Sequence, residues 1–223
     1  MKLTVQDAQA ALERGIRRFV FVSSIGVFGQ SSGTGAFTPE TLPHPQSTYA
    51  KSKLEAEAAL GELARERGLE LVIVRPPLVY GAGAPCNLKK LAAAIDKGLP
   101  LPLGAVRNRR SLANVEDLAE LLRIAARHLA ALGRILLPAD ETPVSTPDLI
   151  RAMAAAMGKP ARLPHVPVAL LKLAGRLTGK AQMIEQLTGN LEVDPTAAMK
   201  HLGWRPRYGL RQGMAAFAAA CGA

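Results

Sequence analysis

The chain has 223 residues, 48% of them hydrophobic, which suffices to bury a sizeable core in one large domain or one and a half small ones. Its 28 Lys plus Arg outnumber 18 Asp plus Glu by a formal +10, but the cations are scattered singly or in pairs, and aromatics amount to only 4%. With "RNRR" at 107–110 as the densest cluster and little to stack on bases, no nucleic acid is expected, and an anionic small substrate or a solvated surface accounts for the charge.

Leu3 to Arg14 has helical apolar spacing and is closed by Gly15. "RFVFVSS" (18–24) is a continuous β-branched and aromatic run of the buried parallel-strand kind. Residues 29–48, rich in Gly, Ser, Thr and Pro, form a loop. "STYAKSKLEAEAALGELARERG" then predicts a long helix with Ser47 or Thr48 as its N-cap and Gly68 as its stop. "LELVIVRPP" is a second buried strand ended by its prolines, helices follow around 87–97 and 116–130, and "GRILLPA" is a third strand. Strands alternating with helices predict a parallel α/β sheet. From Thr146 onward short helices broken by Pro and Gly predict a smaller, mostly helical lobe, which divides the chain at 1–145 and 146–223. Cys86 and Cys221 are too few for a disulfide framework and not spaced as metal ligands, so a reducing, cytoplasmic setting without metal is expected. No segment has a signal-peptide core or the roughly 18 apolar residues of a membrane span, so no membrane partner is expected either.

In a parallel α/β sheet, ligands sit beyond the carboxyl ends of the strands. Ser23 and Ser24 lie at the end of the first strand, and Tyr49 and Lys53 share one face at the start of the following helix. A tyrosine hydroxyl, with a pKa of about 10 in water, is a poor base, but a neighbouring ammonium favours phenolate and so favours proton transfer from an alcohol. A strand-end serine could hold the same substrate oxygen. Taken alone, a Tyr and a Lys four apart are common on helices and structural; the serines beside them give the pair its chemical meaning.

The ordered series "FVFVSSIGVFG", "STYAKSKLEAE", "VIVRPPLVYGAG", "NLKKLAAAI" and "RRSLANVEDLAELL" resembles the extended short-chain dehydrogenase/reductase family. More narrowly, it is similar to nucleotide-sugar epimerases and dehydratases of the UDP-glucose 4-epimerase type. The likeness covers residues 5–130, and "DPTAAMKHLGWRPRYGLRQGM" resembles the family's closing helical segment more weakly. It implies part of a Rossmann-type domain over 1–145, which carries the catalytic residues, and a substrate-binding lobe over 146–223. It also implies NAD, with NADP open, as cofactor, a nucleotide sugar as substrate and a homodimer. Residue by residue, it implies Ser24 as the catalytic hydroxyl, Tyr49 as the acid/base and Lys53 as the ammonium that holds the nicotinamide ribose, with Pro76 also against the cofactor. Asn87 falls where the nucleotide is contacted and Arg110 where an arginine meets the diphosphate, a role suited to bidentate guanidinium donors. The residues alone leave Asn87 open as a helix N-cap, Arg110 as a solvated surface residue and Tyr80 as packing.

Three departures matter. Dehydratases of this family tend to carry Asp and Glu directly after the catalytic hydroxyl, where this chain has Ile25 and Gly26, so an epimerase or 4-keto reductase is expected. Many epimerases carry Asn where this chain has Leu78, which removes one polar contact to the substrate. Finally, no "GxxGxxG" turn follows a strand: "GQSSGTG" at 29 and "GAGAP" at 81 open no suitable helix for a dinucleotide pyrophosphate. On the resemblance, roughly 90 to 100 residues of strand and helix pairs are therefore expected in front of Met1, and the first strand is expected to present an open edge, with poor solubility or pairing through that edge as the outcome.

Overall fold

The computed structural model describes residues 2–84 and 86–221; the side chains of Lys2, Leu3, Cys86, Asn87 and Cys221 lie outside the description. In chain order the elements are α1 (Lys2–Glu13), β1 (Arg18–Val22), β2 (Ala36–Phe37), α2 (Thr48–Arg67), β3 (Glu70–Val74), β4 (Leu78–Tyr80), α3 (Cys86–Asp96), β5 (Leu112–Asn114) and α4 (Val115–Ala125). They continue as β6 (Ile135–Leu136), α5 (Thr146–Ala156), α6 (Val168–Leu177), α7 (Ala181–Thr188), β7 (Glu192–Val193), α8 (Thr196–Leu202) and α9 (Leu210–Cys221).

β1, β3 and β6 form a parallel sheet in that order, with Arg18 opposite Glu70 and Val22 opposite Val74. Their unbroken apolar runs suit strands covered on both faces. On one side Ala56, Leu60 and Leu63 of α2 pack with Phe21 and Leu71; another cluster joins Val72 and Val74 to Leu118 and Leu121 of α4 and to Trp204. The spacing of Ala56, Leu60 and Leu63 is a helical stripe. Ser47 caps α2, its Oγ accepting from the Ala50 amide at 3.1 Å, and Gly68 ends it in the left-handed region at φ +69°, where a side chain would be strained. β1 is an edge strand among the described residues. The Ser23 amide donates to the Val74 carbonyl and the Glu70 amide to the Arg17 carbonyl, so the main-chain groups of Arg18, Val20 and Val22 turn away from β3.

Two short parallel pairs escape the sequence reading. β4 pairs with β5, and β2, inside the expected 29–48 loop, pairs with β7 some 150 residues on. Strands of two or three residues carry too little periodicity to be read from sequence. The stretch from Thr146 is mostly helical, and α5 and α9 pack Ile150, Met153, Met214 and Phe217 against Tyr80, Leu88 and Leu112. Gly213 lets the Tyr80 ring lie on the backbone of α9: a Cβ there would stand 2.3 Å from Tyr80 Cε2.

Candidate functional site

The end of β1 carries the site. Ser24 is extended (φ −155°) and caps a short 3-10 turn at 25–27, its Oγ accepting from the Gly26 amide at 3.1 Å. That bond uses a lone pair and leaves the hydroxyl proton free to be donated. The turn is tied to the end of β3, because the Ile25 amide donates to the Pro76 carbonyl at 3.0 Å; Pro76 itself is buried. Beside Ser24, Ser23 is 3% exposed and its Oγ has no partner among the described residues. An orphaned buried hydroxyl is costly, and at a strand end it fits a polar ligand group that would satisfy it. The resemblance singled out Ser24 of the two; the buried, unpartnered hydroxyl of Ser23 had no sign in the sequence.

Tyr49 lies in the first turn of α2 with 60% of its surface exposed. One turn on, the Lys53 Nζ donates to the outward-facing Val22 carbonyl at 2.9 Å, sits 4.9 Å from the Phe21 ring centroid and 5.8 Å from that of Tyr49. Both rings are within cation–π range. The structure thus gathers Lys53 and Tyr49 at the strand end where Ser24 lies. An ammonium has three donors, so two remain for a ligand beyond the bond to Val22. These groups suit the nicotinamide end of a dinucleotide: an exposed phenol, an ammonium with donors to spare and an unsatisfied hydroxyl.

Behind the turn, Arg75 and Glu57 form a buried ion pair, with Arg75 Nε to Glu57 Oε1 at 3.0 Å and a second bond from Nη2 to Oε2. Arg75 also stacks 4.5 Å above the Phe28 ring. This pair joins α2 to the end of β3 and so fixes Tyr49 and Lys53 relative to Ser24; a lone arginine before two prolines gave no sequence sign of it.

Arg110 is placed elsewhere. Its Nη1 donates to the Gln186 carbonyl at 2.5 Å and the Gly189 carbonyl at 3.4 Å, and its main chain bonds reciprocally with Val144. Burial pulls its guanidinium below the ordinary arginine value. In this state the side chain tethers the carboxyl end of α7, where carbonyls favour a cation. Asn87 lies in the first turn of α3, and its side chain lies outside the description. Tyr80 is fully buried and donates to Asp140 Oδ2 at 2.7 Å, while Asp140 Oδ1 accepts from the Asn114 amide at 3.2 Å. Burial and the Asp140 carboxylate hold the Tyr80 proton well above the ordinary tyrosine value, and burial pushes Asp140 up to about 6.

A cleft of about 350 Å³ adjoins the loop that follows the turn, lined by Gln30, Gln46, Lys172, Arg176, Gln182 and Glu185. One wall comes from the loop before Tyr49, the other from α6 and α7. Ser32 and Asn190 stitch the two together: the Ser32 amide donates to the Asn190 carbonyl at 3.0 Å and Asn190 Nδ2 donates to the Gly33 carbonyl at 2.9 Å.

The model of the NAD dependent epimerase/dehydratase family matches residues 1–136. The chain belongs to this family. The Vibrio cholerae protein named UDP-glucose 4-epimerase is 38% identical over 212 residues, a match covering 94% of this chain and 65% of that protein. Among solved structures, UDP-glucuronic acid 4-epimerase from Bacillus cereus in complex with NAD superposes with a TM-score of 0.78 at 20% identity, over 99% of this chain and 66% of that one. The UDP-glucose 4-epimerase of Thermus thermophilus, also in complex with NAD, gives 0.75 at 24% identity, over 97% and 68%. These two share the fold, the Rossmann-type parallel α/β arrangement expected from the sequence. The chain spans just under two thirds of the Vibrio cholerae relative's length. Among the described residues no helix of this family member is long and apolar enough to cross a membrane.

Proposed function

We propose that this chain carries the catalytic part of a nucleotide-sugar 4-epimerase acting on a UDP-hexose. The observation that carries the reading is the meeting of Tyr49 and Lys53 at the strand end that bears Ser24, with the Lys53 ammonium 5.8 Å from the Tyr49 ring. In this reading Ser24 Oγ donates its free proton to the oxygen on carbon 4 of the sugar, and Tyr49 Oη takes the proton which that hydroxyl releases. Lys53, anchored on the Val22 carbonyl, keeps positive charge beside the phenol throughout, and the phenol returns the proton when the hydroxyl re-forms. Lys53, Tyr49 and Pro76 would hold the nicotinamide end of NAD, which when bound supplies the oxidation and re-reduction of carbon 4.

The two positions at which dehydratases place their acid and base support epimerisation over elimination of water. Ile25 is buried in an apolar cluster with Phe28, Phe37 and Leu137, and Gly26 faces Ala50 Cβ at 3.5 Å from where its own Cβ would be. Neither can move a proton. Leu78 is half-buried and packs against the core. The proposed division of labour gives residues 1–145 the reacting groups and residues 146–223 the Lys172 and Arg176 wall of the cleft. Arg110 reaches a diphosphate in this scheme only by exchanging the carbonyls of Gln186 and Gly189 for phosphate oxygens, and Asn87 is proposed to meet the nucleotide.

The test joins residues 1–223 to a glycine-rich dinucleotide-binding segment and follows conversion of UDP-galactose to UDP-glucose by a coupled dehydrogenase. Tyr49→Phe should lower turnover by about 100-fold or more with little change in UDP-sugar affinity; turnover within a few fold of the parent sinks the assignment. An NADPH-dependent 4-keto-sugar reductase would use the same Ser24, Tyr49 and Lys53. It is distinguished by consumption of free NADPH where an epimerase retains NAD. A fusion that binds UDP-sugar yet performs neither reaction makes the chain a sugar-nucleotide-binding module.

A further inference from the structure

α6 presents a stripe of large apolar side chains to the outside. Leu170, Leu173 and Leu177 are 55%, 52% and 80% exposed, at the i, i+3, i+7 spacing that aligns them along one face. Ala174 extends that face and is exposed as well. The inward face is carried by Leu171 and Gly175, the latter packed so closely on α7 that a Cβ would come within 2.8 Å of Ile184 Cγ1. The helix is therefore held rigidly with its leucine stripe outward, and across the Gly179 turn Met183 is also 48% exposed. Single exposed leucines are ordinary on a protein surface; three on one stripe are not.

The unpaired charges around the stripe have one sign. Arg176 and Lys180 are exposed and make no ion pair among the described residues, whereas Lys172 is neutralised by Glu185 at 3.0 Å. The chain as a whole is at +10. Two copies meeting through this stripe would bring these cations together, while an anionic bilayer surface would accept leucines and cations at once. We infer that the α6 face docks on an anionic lipid surface, lying in the headgroup layer with Leu170, Leu173 and Leu177 inserted and Arg176 and Lys180 at the phosphates. This is adsorption to one leaflet, independent of the reaction assigned above. Because Lys172 and Arg176 also line the cleft, docking would hold its wall beside the bilayer.

Co-sedimentation of the 223-residue chain with vesicles of equal parts phosphatidylglycerol and phosphatidylcholine, and with phosphatidylcholine alone, tests this. The chain should pellet with the anionic vesicles and far less with the neutral ones, and added salt should release it. Leu173→Glu with Leu177→Glu should cut the bound fraction by about tenfold or more with an unchanged melting curve. Leu177→Glu alone, at a position already four-fifths in solvent, should do the same in part. Arg176→Gln with Lys180→Gln should erase the preference for anionic lipid. The inference is overturned if the parent stays in the supernatant, if the leucine variants pellet like the parent, or if neutral and anionic vesicles are bound alike. It is equally overturned if vesicles are ignored and Leu177→Glu turns a dimer into a monomer by light scattering, which would make the stripe a contact between copies.

Discussion

Replacing Asp140 by Asn should flatten the dependence of stability on pH between about 4 and 6. Asp140 accepts from the Tyr80 hydroxyl at 2.7 Å, and burial raises its carboxyl from an ordinary 3.8 to about 6. In that window the folded chain holds a proton that the unfolded chain has released, so stability is greatest below the unfolded value and falls as pH rises through the folded one. A gap of about two pH units corresponds to a loss of up to about 3 kcal/mol by pH 7, reduced somewhat because Asp140 keeps partial contact with solvent. Asn retains an acceptor for the Asn114 amide, and the Tyr80 hydroxyl can turn to accept from its amide group, so the network survives without the charge. Asp148 and Glu120, whose carboxyls are held below the ordinary range by Ser145 and Arg123 respectively, act in the opposite sense but are common to both proteins and cancel in the comparison. Urea denaturation of parent and Asp140→Asn at half-unit steps from pH 4 to 7 should give curves that diverge, with the variant gaining relative stability as pH rises. Parallel curves within about 0.5 kcal/mol would refute the argument, because they would mean that Asp140 titrates alike in both states.

Gly213→Ala should destabilise the chain by about 3 kcal/mol or more in the same denaturation assay, since the new Cβ would stand 2.3 Å from Tyr80 and 2.5 Å from Asn114 in a core without slack; a loss below about 1 kcal/mol would show that α9 yields. Arg110→Ala should weaken UDP-sugar binding by about 1.5 to 3 kcal/mol and also lower the melting temperature, because the guanidinium holds two carbonyls. Unchanged affinity by calorimetry with a lowered melting point would leave Arg110 a tether only. The 223 residues contain no "GxxGxxG" pattern, and the turn at 81–84 between β4 and α3 has only two glycines, so by equilibrium dialysis the chain should show no micromolar affinity for NAD, and by light scattering it should self-associate through the open edge of β1. Val22→Lys, at a side chain already 36% exposed, should reduce that association; a well-behaved monomer that binds NAD defeats both expectations.

What the sequence disclosed followed signal length. α2 carries an N-cap, a twenty-residue run of helix-forming residues and a glycine stop, and its observed limits agree with the predicted ones to within a residue. β1 and β3, each a charged residue followed by four apolar ones, were equally plain. Ser24, Tyr49 and Lys53 could be placed together because a strand end and the first turn of the next helix are adjacent by topology alone. The contacts of Arg110 could not, since its partners at 186 and 189 lie almost eighty residues away and are backbone carbonyls, which have no residue signature. The same holds for Ser111, which receives the Val193 amide at 3.1 Å, and for Asp117, whose carboxylate accepts the amides of Arg207 and Tyr208 at 2.9 and 3.0 Å. Such long-range caps fix how the helical C-terminal stretch closes over the sheet, and they are invisible to periodicity.

Lys53 links the site to the edge of the sheet. Of the outward main-chain groups of β1, the Val22 carbonyl is taken by the Lys53 ammonium at 2.9 Å. A charge set against an open edge discourages strand pairing where it sits, so the residue proposed to serve the nicotinamide ribose covers the Val22 end of the strand that carries Ser24 and leaves the outward main-chain groups of Arg18 and Val20 open to pairing. Any strand that pairs with β1 through Val22 competes for that carbonyl and would turn all three ammonium donors toward Tyr49 and the ligand. Pairing at β1 and the readiness of Lys53 are thus opposite sides of one exchange of hydrogen bonds. An edge left open keeps one ammonium donor on the Val22 carbonyl and two for the ligand; a strand paired through Val22 would leave all three.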